Sequence, residues 1–410
     1  MTESNPITTP MSSRRTALVG GLMVAAGPLS ISLYGPALPT IVAELGTNEA
    51  MGKLSLSVYF AAFALTQLVC GPLSDSFGRR KVAIGFLLFY VLGSLVAAFG
   101  PSVEFLLAGR ILQGIGVSVG VALSRAMVRD QFVGREAIGI LTLINLILTV
   151  APAVAPTIGS VILAFGSWHL MFIVMGLYGA FLMALIGFAS RETHPVVARV
   201  PLRPVGIVAN YWRLLSSMRF MGPAGVLGLS FGGFYGFAAL LPFILIDDIG
   251  LTPFQFAMTM LIQTGSFITG NLLAGYAARR LDGDMMVRIG LILLLLAGVG
   301  FAAGLRLFPT AILAVMAPVS LWMLALAFIG PSTTAAAMAG FGPIAGAAGA
   351  LTGFFQVGGG FVGSLLASLL FPDARSALVT LIPIMAGLAV MIALVNRVRT
   401  RVREAAIPET

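Results

Sequence analysis

The chain has 410 residues, of which 58% are hydrophobic and 10% are charged, and its formal net charge is +9. A soluble globular domain carries roughly 25% charged residues, so this composition excludes an ordinary soluble protein and predicts one that lies in a bilayer. The positive charge does not indicate a nucleic-acid partner, because the basic residues lie in short loops between apolar segments and at the chain ends.

Twelve apolar segments are long enough to cross a membrane as helices, which predicts an all-α membrane protein. A bilayer core of about 30 Å needs about 20 apolar residues in helical conformation. By that measure spans 1 to 12 lie near Ala17–Leu38, Leu54–Leu73, Val82–Phe99, Phe105–Val128, Ile138–Phe165, Met171–Ala189, Gly222–Ile246, Phe256–Ala277, Val287–Leu305, Ala311–Pro331, Ala345–Phe371 and Leu378–Val395. Span 1 is too long for the apolar core of a signal peptide, so we expect it to be retained.

The loop between spans 2 and 3, residues 71–81, places an acid and three basic residues at the membrane edge. The pattern predicts a helix that ends at a turn on Gly78. An acid at a span end is costly without a partner, so we expect Asp75 to pair with Arg129, or with Arg125 one turn earlier. This ion pair would break when parts of the protein move. The alternative for the basic residues is that they only fix the topology. The residues of this candidate gate are Gly71, Asp75, Gly78, Arg79, Arg80, Arg129 and Asp130.

Span 4 contains a charge inside the apolar region. Arg110 lies ~8 Å from the outer end of the predicted span, at 1.5 Å per residue. Gln113 and Gly114 follow at i+3 and i+4, on nearly the same helix face. We expect Arg110 to face the interior of the helix bundle and to serve transport or coupling. The alternative is that its side chain extends to the outer membrane surface.

Span 5 contains Pro152, Pro156 and Gly159 among small residues. This pattern predicts a bent, thin helix that packs closely against another part of the protein. Ordinary small-residue packing and a role in conformational change both remain open.

Residues 190–218 form the longest loop and divide the chain near its middle. They are polar and basic and contain Pro195, Pro201 and Pro204, so we interpret them as a cytoplasmic linker. The linker separates an N-terminal six-helix half with a short tail, residues 1–189, from a C-terminal six-helix half with a basic tail, residues 219–410. Residues 275–282 weakly resemble the loop at residues 71–81. Such similarity between two halves is typical of paired repeats.

No cofactor or metal site is expected. Cys70 is the only cysteine and lies in an apolar run, where inert packing is its expected role. His169 and His194 lie in loop-like stretches without a cluster of cysteines or carboxylates around them, which argues against zinc or haem.

These motifs together resemble the major facilitator superfamily and, within it, drug:proton antiporters of the Bcr/CflA-type multidrug efflux subfamily. The loop at 71–81 matches the superfamily signature, while Arg110, Gln113 and Gly114 match the motif of span 4. Pro152, Pro156 and Gly159 match the antiporter motif of span 5, and the runs 33–39, 128–132 and 349–356 are similar to the subfamily. The resemblance implies a monomeric, multi-pass exporter of the bacterial inner membrane, driven by inward proton flow. Its partners would be a small-molecule substrate, protons and the lipid bilayer.

One departure concerns proton coupling. Exporters of this subfamily usually have an acid in span 1, two residues before the tyrosine, and here that position is Ser32. No carboxylate lies at the middle of any predicted span. Glu44, Asp247 and Asp248 on the outer side and Asp75 on the inner side are the remaining choices for the coupling residue, and the sequence does not select one.

We expect two halves around a central cavity, lined mainly by apolar and aromatic groups with a few polar ones. The candidate cavity residues are Ser32, Tyr34, Tyr59, Asn145, Tyr235, Gln263, Phe355 and Gln356. Plain packing is the alternative for the aromatic residues, and hydrogen bonding between helices is the alternative for the amides.

Export of small amphiphilic compounds such as antibiotics is the expected function. The alternative is export or uptake of a cellular metabolite on the same fold. An intramembrane enzyme would need a nucleophile with a base, or metal ligands, within the spans, and a channel would need a ring of repeated pore-lining groups. The sequence has neither pattern.

The distribution of lysine and arginine predicts the topology. Arg14, Arg80, Arg203, Arg280 and Arg399 should lie in the cytoplasm together with both termini, because basic loops remain on the inner side. The acidic positions Glu49, Glu104, Asp248 and Asp373 should lie outside.

Single cysteine substitutions at these positions, in a Cys70→Ser background, test the topology with an impermeant thiol reagent. Positions 49, 104, 248 and 373 should be labelled in intact spheroplasts. Labelling of Arg203→Cys under the same conditions would reverse the assignment.

Overall fold

A computed structural model of the chain describes residues 11–194, 199 and 201–405. Within these residues the regular structure is helical. The α-helices are α1 Ser13–Ser32, α2 Leu38–Glu44, α3 Glu49–Phe77, α4 Arg79–Phe99, α5 Val103–Val117, α6 Val119–Gln131, α7 Gly134–Phe165, α8 His169–Ala184, α9 Pro204–Leu215, α10 Met218–Pro242, α11 Pro253–Ala277, α12 Gly283–Leu307, α13 Ile312–Met338, α14 Ala345–Leu370 and α15 Ala374–Ala405.

Eleven helical segments in the described part of the chain are long and apolar enough to cross a membrane. The predicted all-α membrane fold is therefore confirmed. Span 1 comprises α1 and α2, and span 4 comprises α5 and α6. Predicted span 8 corresponds to α11, which has 25 residues but is not among the eleven. Its polar residues, among them Gln263 and Asn271, lower its hydropathy, although about 20 helical residues suffice to cross a bilayer.

The chain divides into two compact units, residues 1–204 and 205–410. In the first unit α1 packs against α7, α3 against α5, and α4 against α5 and α8. In the second unit the same pattern recurs: α10 packs against α14, α11 against α13, and α12 against α13 and α15. Counted as spans, the pairs 1–5, 2–4, 3–4 and 3–6 reappear as 7–11, 8–10, 9–10 and 9–12. This is the arrangement expected of a duplicated helical unit.

Glycine lets the paired helices approach closely in both units. A Cβ atom on Gly159 of α7 would lie 2.3 Å from the carbonyl oxygen of Leu33, and one on Gly359 of α14 would lie 2.0 Å from that of Gly228. Both distances are far inside van der Waals contact, so any larger residue would force the helices apart. Gly159 of the span 5 motif therefore has a packing role in the first unit.

The linker differs from the expected loop. Residues 204–215 form the helix α9, which begins at Pro204, because proline is compatible with the first turn of a helix. Residues 1–10 of the predicted N-terminal tail, Pro195 of the linker and residues 406–410 lie outside the described residues.

Candidate functional site

Arg110 on α5 is fully buried in the first unit, with a relative exposure of 0%. It is the eighth residue of α5, which begins at Val103, so it lies about 10 Å along the helix at 1.5 Å per residue. The expected orientation towards the interior is therefore found. The alternative, a side chain that extends to the outer surface, is not found.

The guanidinium group of Arg110 is held by oxygen atoms and aromatic rings. Its Nη1 donates to the carbonyl oxygen of Ser30 at 3.2 Å and to Oε1 of Gln113 at 2.8 Å. Its Cζ atom lies 4.8 Å from the ring centroid of Tyr34 and 4.3 Å from that of Tyr59. Such distances are typical of cation–π contacts, in which the negative face of a ring stabilises a cation.

A second layer of hydrogen bonds fixes these partners. Nε2 of Gln113 donates to Oγ of Ser94 at 2.8 Å, which orients its carbonyl oxygen towards Arg110. The hydroxyl of Tyr34 is hydrogen-bonded to that of Ser55 at 2.9 Å, and the hydroxyl of Tyr59 donates to the carbonyl oxygen of Gly27 at 3.0 Å. Both tyrosines therefore present their ring faces, rather than their hydroxyls, to the guanidinium.

This arrangement leaves the positive charge without a compensating anion. Within the described residues no carboxylate forms an ion pair with Arg110, and its Nε and Nη2 atoms have no hydrogen-bond partner. A buried charge without a counterion costs several kcal/mol, of which ring faces and carbonyl dipoles offset a part. We call Arg110, Gln113, Tyr34 and Tyr59 the Arg110 cluster.

Gly114 makes the Arg110 cluster sterically possible. A Cβ atom at this position would lie 2.4 Å from the carbonyl oxygen of Tyr59. The glycine therefore lets α5 approach α3 closely enough for the ring of Tyr59 to reach the guanidinium.

The loop between α3 and α4 turns where the sequence predicts. Helix α3 ends at Phe77, Gly78 has φ +97°, and α4 begins at Arg79. A positive φ favours glycine. A Cβ atom on Gly78 would also lie 2.5 Å from Oε2 of Glu192, so both the backbone conformation and the available space require glycine.

The partner of Asp75 differs from the prediction. Asp75 forms an ion pair with Arg79 across the turn, and Nε of Arg79 lies 3.0 Å from Oδ2 of Asp130. Arg125 and Arg129, the expected partners, are exposed. The turn on Gly78 brings Arg79 back towards the end of α3, so the nearest cation comes from the same loop and not from α6.

Glu192 completes this site, and sequence analysis missed it. Its carboxylate accepts hydrogen bonds from the backbone amides of Arg79 at 2.8 Å and Arg80 at 3.2 Å, the first two residues of α4. It thus satisfies unpaired amides at the positive end of a helix. Arg199 lies 4.0 Å away from the same carboxylate. We call Asp75, Arg79, Asp130 and Glu192 the α3–α4 cluster.

The other candidate residues lie in several places. Ser32 is the last residue of α1 and is half-buried, and Asn145 lies exposed on α7 together with the helix-interior Pro152 and Pro156. In the second unit, Tyr235, Phe355 and Gln356 are half-buried, whereas Gln263 is buried and its Oε1 has no hydrogen-bond partner within the described residues. Their expected role in substrate binding stays a prediction.

Two of the carboxylates considered for coupling on the predicted outer side have partners within their own unit. Glu44 accepts a hydrogen bond from Nε1 of Trp168 at 2.6 Å. Asp248 forms an ion pair with Arg375, with 3.1 Å between Oδ2 and Nε. These contacts give both acids a structural role.

Most of the chain is similar to known membrane transporters. Residues 20–368 match the family model described as Major Facilitator Superfamily. An MFS-type transporter of Bacillus subtilis, YdgK, is 32% identical over 86% of this chain and 87% of its own. A bicyclomycin resistance protein homolog of Haemophilus influenzae is 29% identical over 88% of this chain and 91% of its own. The fold is similar to that of the human organic anion transporter MFSD10, with a TM-score of 0.68 and 20% identity over 94% of this chain and 100% of the other.

The role of Glu192 yields a stability prediction. Glu192→Ala should lower the free energy of unfolding by about 1 kcal/mol, the usual effect of losing a side chain that caps a helix N-terminus. Glu192→Gln should lower it less, because an amide oxygen still accepts a hydrogen bond. The measurement is thermal unfolding of the purified protein in detergent.

Arg199→Ala is the matched control, because it removes only a half-exposed ion pair of Glu192, and such pairs contribute about 0–1 kcal/mol. If Glu192→Ala unfolds at the same temperature as the unmodified protein, the carboxylate does not stabilise α4.

Proposed function

Because the chain belongs to the major facilitator superfamily, we propose that it exports small amphiphilic drugs or antibiotics across the bacterial inner membrane by alternating access, in exchange for protons. Membership and the helical fold make it a multi-pass membrane transporter. The name of the Haemophilus influenzae relative, which refers to bicyclomycin resistance, supports drugs as the class of substrate.

The proposed substrate chemistry rests on the charge of the Arg110 cluster. Within the part of the chain that the structure describes, two donor atoms of the guanidinium have no partner, and no carboxylate forms an ion pair with it. A group that brings a carbonyl, nitro or anionic oxygen near it is attracted, whereas a cation is repelled. Preferred substrates are therefore neutral or weakly anionic compounds, of the phenicol or sulfonamide kind, rather than quaternary ammonium dyes.

Direct contact with Arg110 is not required for this preference. The side chain is fully buried, so a substrate would experience its charge through the protein. At ~10 Å, with an effective dielectric constant of ~20, two unit charges still interact by about 2 kcal/mol. That energy corresponds to roughly a thirtyfold change in affinity for one unit charge near the site, relative to a neutral group.

Proton coupling in this proposal does not use an acid in span 1, because that position is Ser32. Asp75 is ion-paired with Arg79 within the loop between α3 and α4, which suits a role in conformational change. We therefore assign the α3–α4 cluster to gating and the Arg110 cluster to charge selection.

Expression in a bacterium that lacks its own efflux pumps tests the function. The protein should raise the minimal inhibitory concentrations of phenicol-type compounds several-fold, and an uncoupler should abolish the effect because export depends on the proton gradient. Asp75→Asn should remove the resistance while the amount of folded protein in the membrane stays nearly unchanged. An unaltered susceptibility profile combined with restored growth on a single metabolite would contradict the proposal.

Substitutions at Arg110 and Ser32 test the origin of charge preference. Arg110→Ala should abolish export of neutral and weakly anionic compounds. Ser32→Asp should shift the preference towards lipophilic cations by roughly tenfold, because it adds a negative charge near the end of α1.

The measurement is export of a matched set of phenicol and quaternary ammonium compounds from loaded cells. Conservative Arg110→Lys keeps the charge and serves as the control, so it should retain the preference in part. Efficient export of ethidium or benzalkonium by the unmodified protein, with phenicols unaffected, would show that Arg110 does not select charge.

A further inference from the structure

Helix α9 has an exposed apolar stripe on one side. Val205, Val208, Trp212 and Leu215 have relative exposures of 83%, 66%, 71% and 41%. At 100° per residue, these four side chains lie within about 80° of one another around the helix axis. Leu214 is the only buried residue of the helix. The described residues of its own unit therefore leave the stripe uncovered.

The polar residues of α9 lie outside the apolar stripe, and the segment around the helix is strongly basic. Asn210 and Arg213 lie away from the apolar stripe. Between Glu192 and Asp247 the sequence contains no carboxylate, and its basic side chains other than His194 are Arg199, Arg203, Arg213 and Arg219. A helix with an apolar stripe that includes tryptophan, and with arginines beside it, is typical of segments that lie in a membrane interface.

The connection to α10 places α9 next to the bilayer. Helix α9 ends at Leu215, and α10, which belongs to a membrane-crossing segment, begins at Met218. The two residues between them are hydrogen-bonded back to α9: Ser216 N to Trp212 O at 2.9 Å, and Ser217 N to Leu214 O at 3.0 Å. Two residues span at most ~7 Å, so Trp212 and Leu215 are held near the membrane end of α10.

We propose that α9 lies in the headgroup region of the bilayer, with its apolar stripe against the acyl chains and Arg203, Arg213 and Arg219 on anionic lipid headgroups. All three arginines are exposed. The lipid surface is the occupant that matches both the position and the charge of the helix, because a basic segment beside a membrane span is attracted to anionic lipids. This inference does not depend on the identity of the transported substrate.

Tryptophan fluorescence of the full chain in lipid nanodiscs tests the proposal. Trp168→Phe with Trp322→Phe leaves Trp212 as the only tryptophan, since the sequence has three. Lipids brominated on the acyl chains should quench Trp212 strongly, and aqueous iodide should quench it weakly. Brominated phosphatidylglycerol should quench more than brominated phosphatidylcholine. Arg203→Gln with Arg213→Gln should reduce this preference by roughly fivefold for each arginine.

A second pair of variants keeps the test valid if the tryptophan substitutions impair folding. In a Cys70→Ser background, Trp212→Cys should be protected from an impermeant maleimide in phosphatidylglycerol nanodiscs. Arg213→Cys, which lies outside the apolar stripe, should react there and serves as the control. Strong quenching of Trp212 by iodide would overturn the proposal, because the stripe would then face water. Protection from both iodide and brominated lipid would also overturn it, because a protein surface would then cover the stripe.

Discussion

Within the described residues, a buried positive charge without a counterion constrains how the helices of the first unit pack. Arg110 lies fully buried on α5, and its guanidinium is held by carbonyl oxygens and by the ring faces of Tyr34 and Tyr59. Because these groups come from α5, α3 and the end of span 1, the charge links the packing of several helices. In the proposed function, a substrate charge that changes the electrostatic surroundings of Arg110 would therefore act on the packing of these helices.

Arg79 shows what the same residue type does when it has counterions. It is nearly as buried as Arg110, but it lies between Asp75 and Asp130, and Glu192 accepts hydrogen bonds from its backbone amide and from that of Arg80. The neighbouring carboxylates neutralise the charge of Arg79. The residue therefore stabilises the loop and has only a small electrostatic effect at a distance. Among the described residues Arg110 has no such counterion, so its electrostatic effect extends further through a low-dielectric region. In the proposed function the cluster around Arg79 serves gating and Arg110 serves charge selection.

The spans, the turn at Gly78 and the burial of Arg110 could be predicted from the sequence, because local patterns of residues determine them. Hydropathy located the spans, a glycine before three basic residues located the turn at Gly78, and the position of Arg110 within an apolar segment indicated its burial. The family resemblance drawn from the motifs is confirmed by the family match and by the relatives. The contacts of Glu192 could not be predicted, because it lies 113 residues from Arg79 and only the fold brings them together. Helix α9 was missed because the prolines around it indicated a loop, whereas Pro204 begins the helix.

Equilibrium binding of charged ligands to the purified protein measures the charge preference that Arg110 imposes. Two ligands with one aromatic scaffold, one bearing a carboxylate and the other a quaternary ammonium group, are titrated into the unmodified protein and into Arg110→Gln at one pH and ionic strength. We expect the unmodified protein to bind the carboxylate compound at least tenfold more tightly, because each unit charge interacts with Arg110 by about 2 kcal/mol, and we expect Arg110→Gln to lose this preference. Tighter binding of the ammonium compound by the unmodified protein, or an unchanged preference in Arg110→Gln, would show that Arg110 does not select charge.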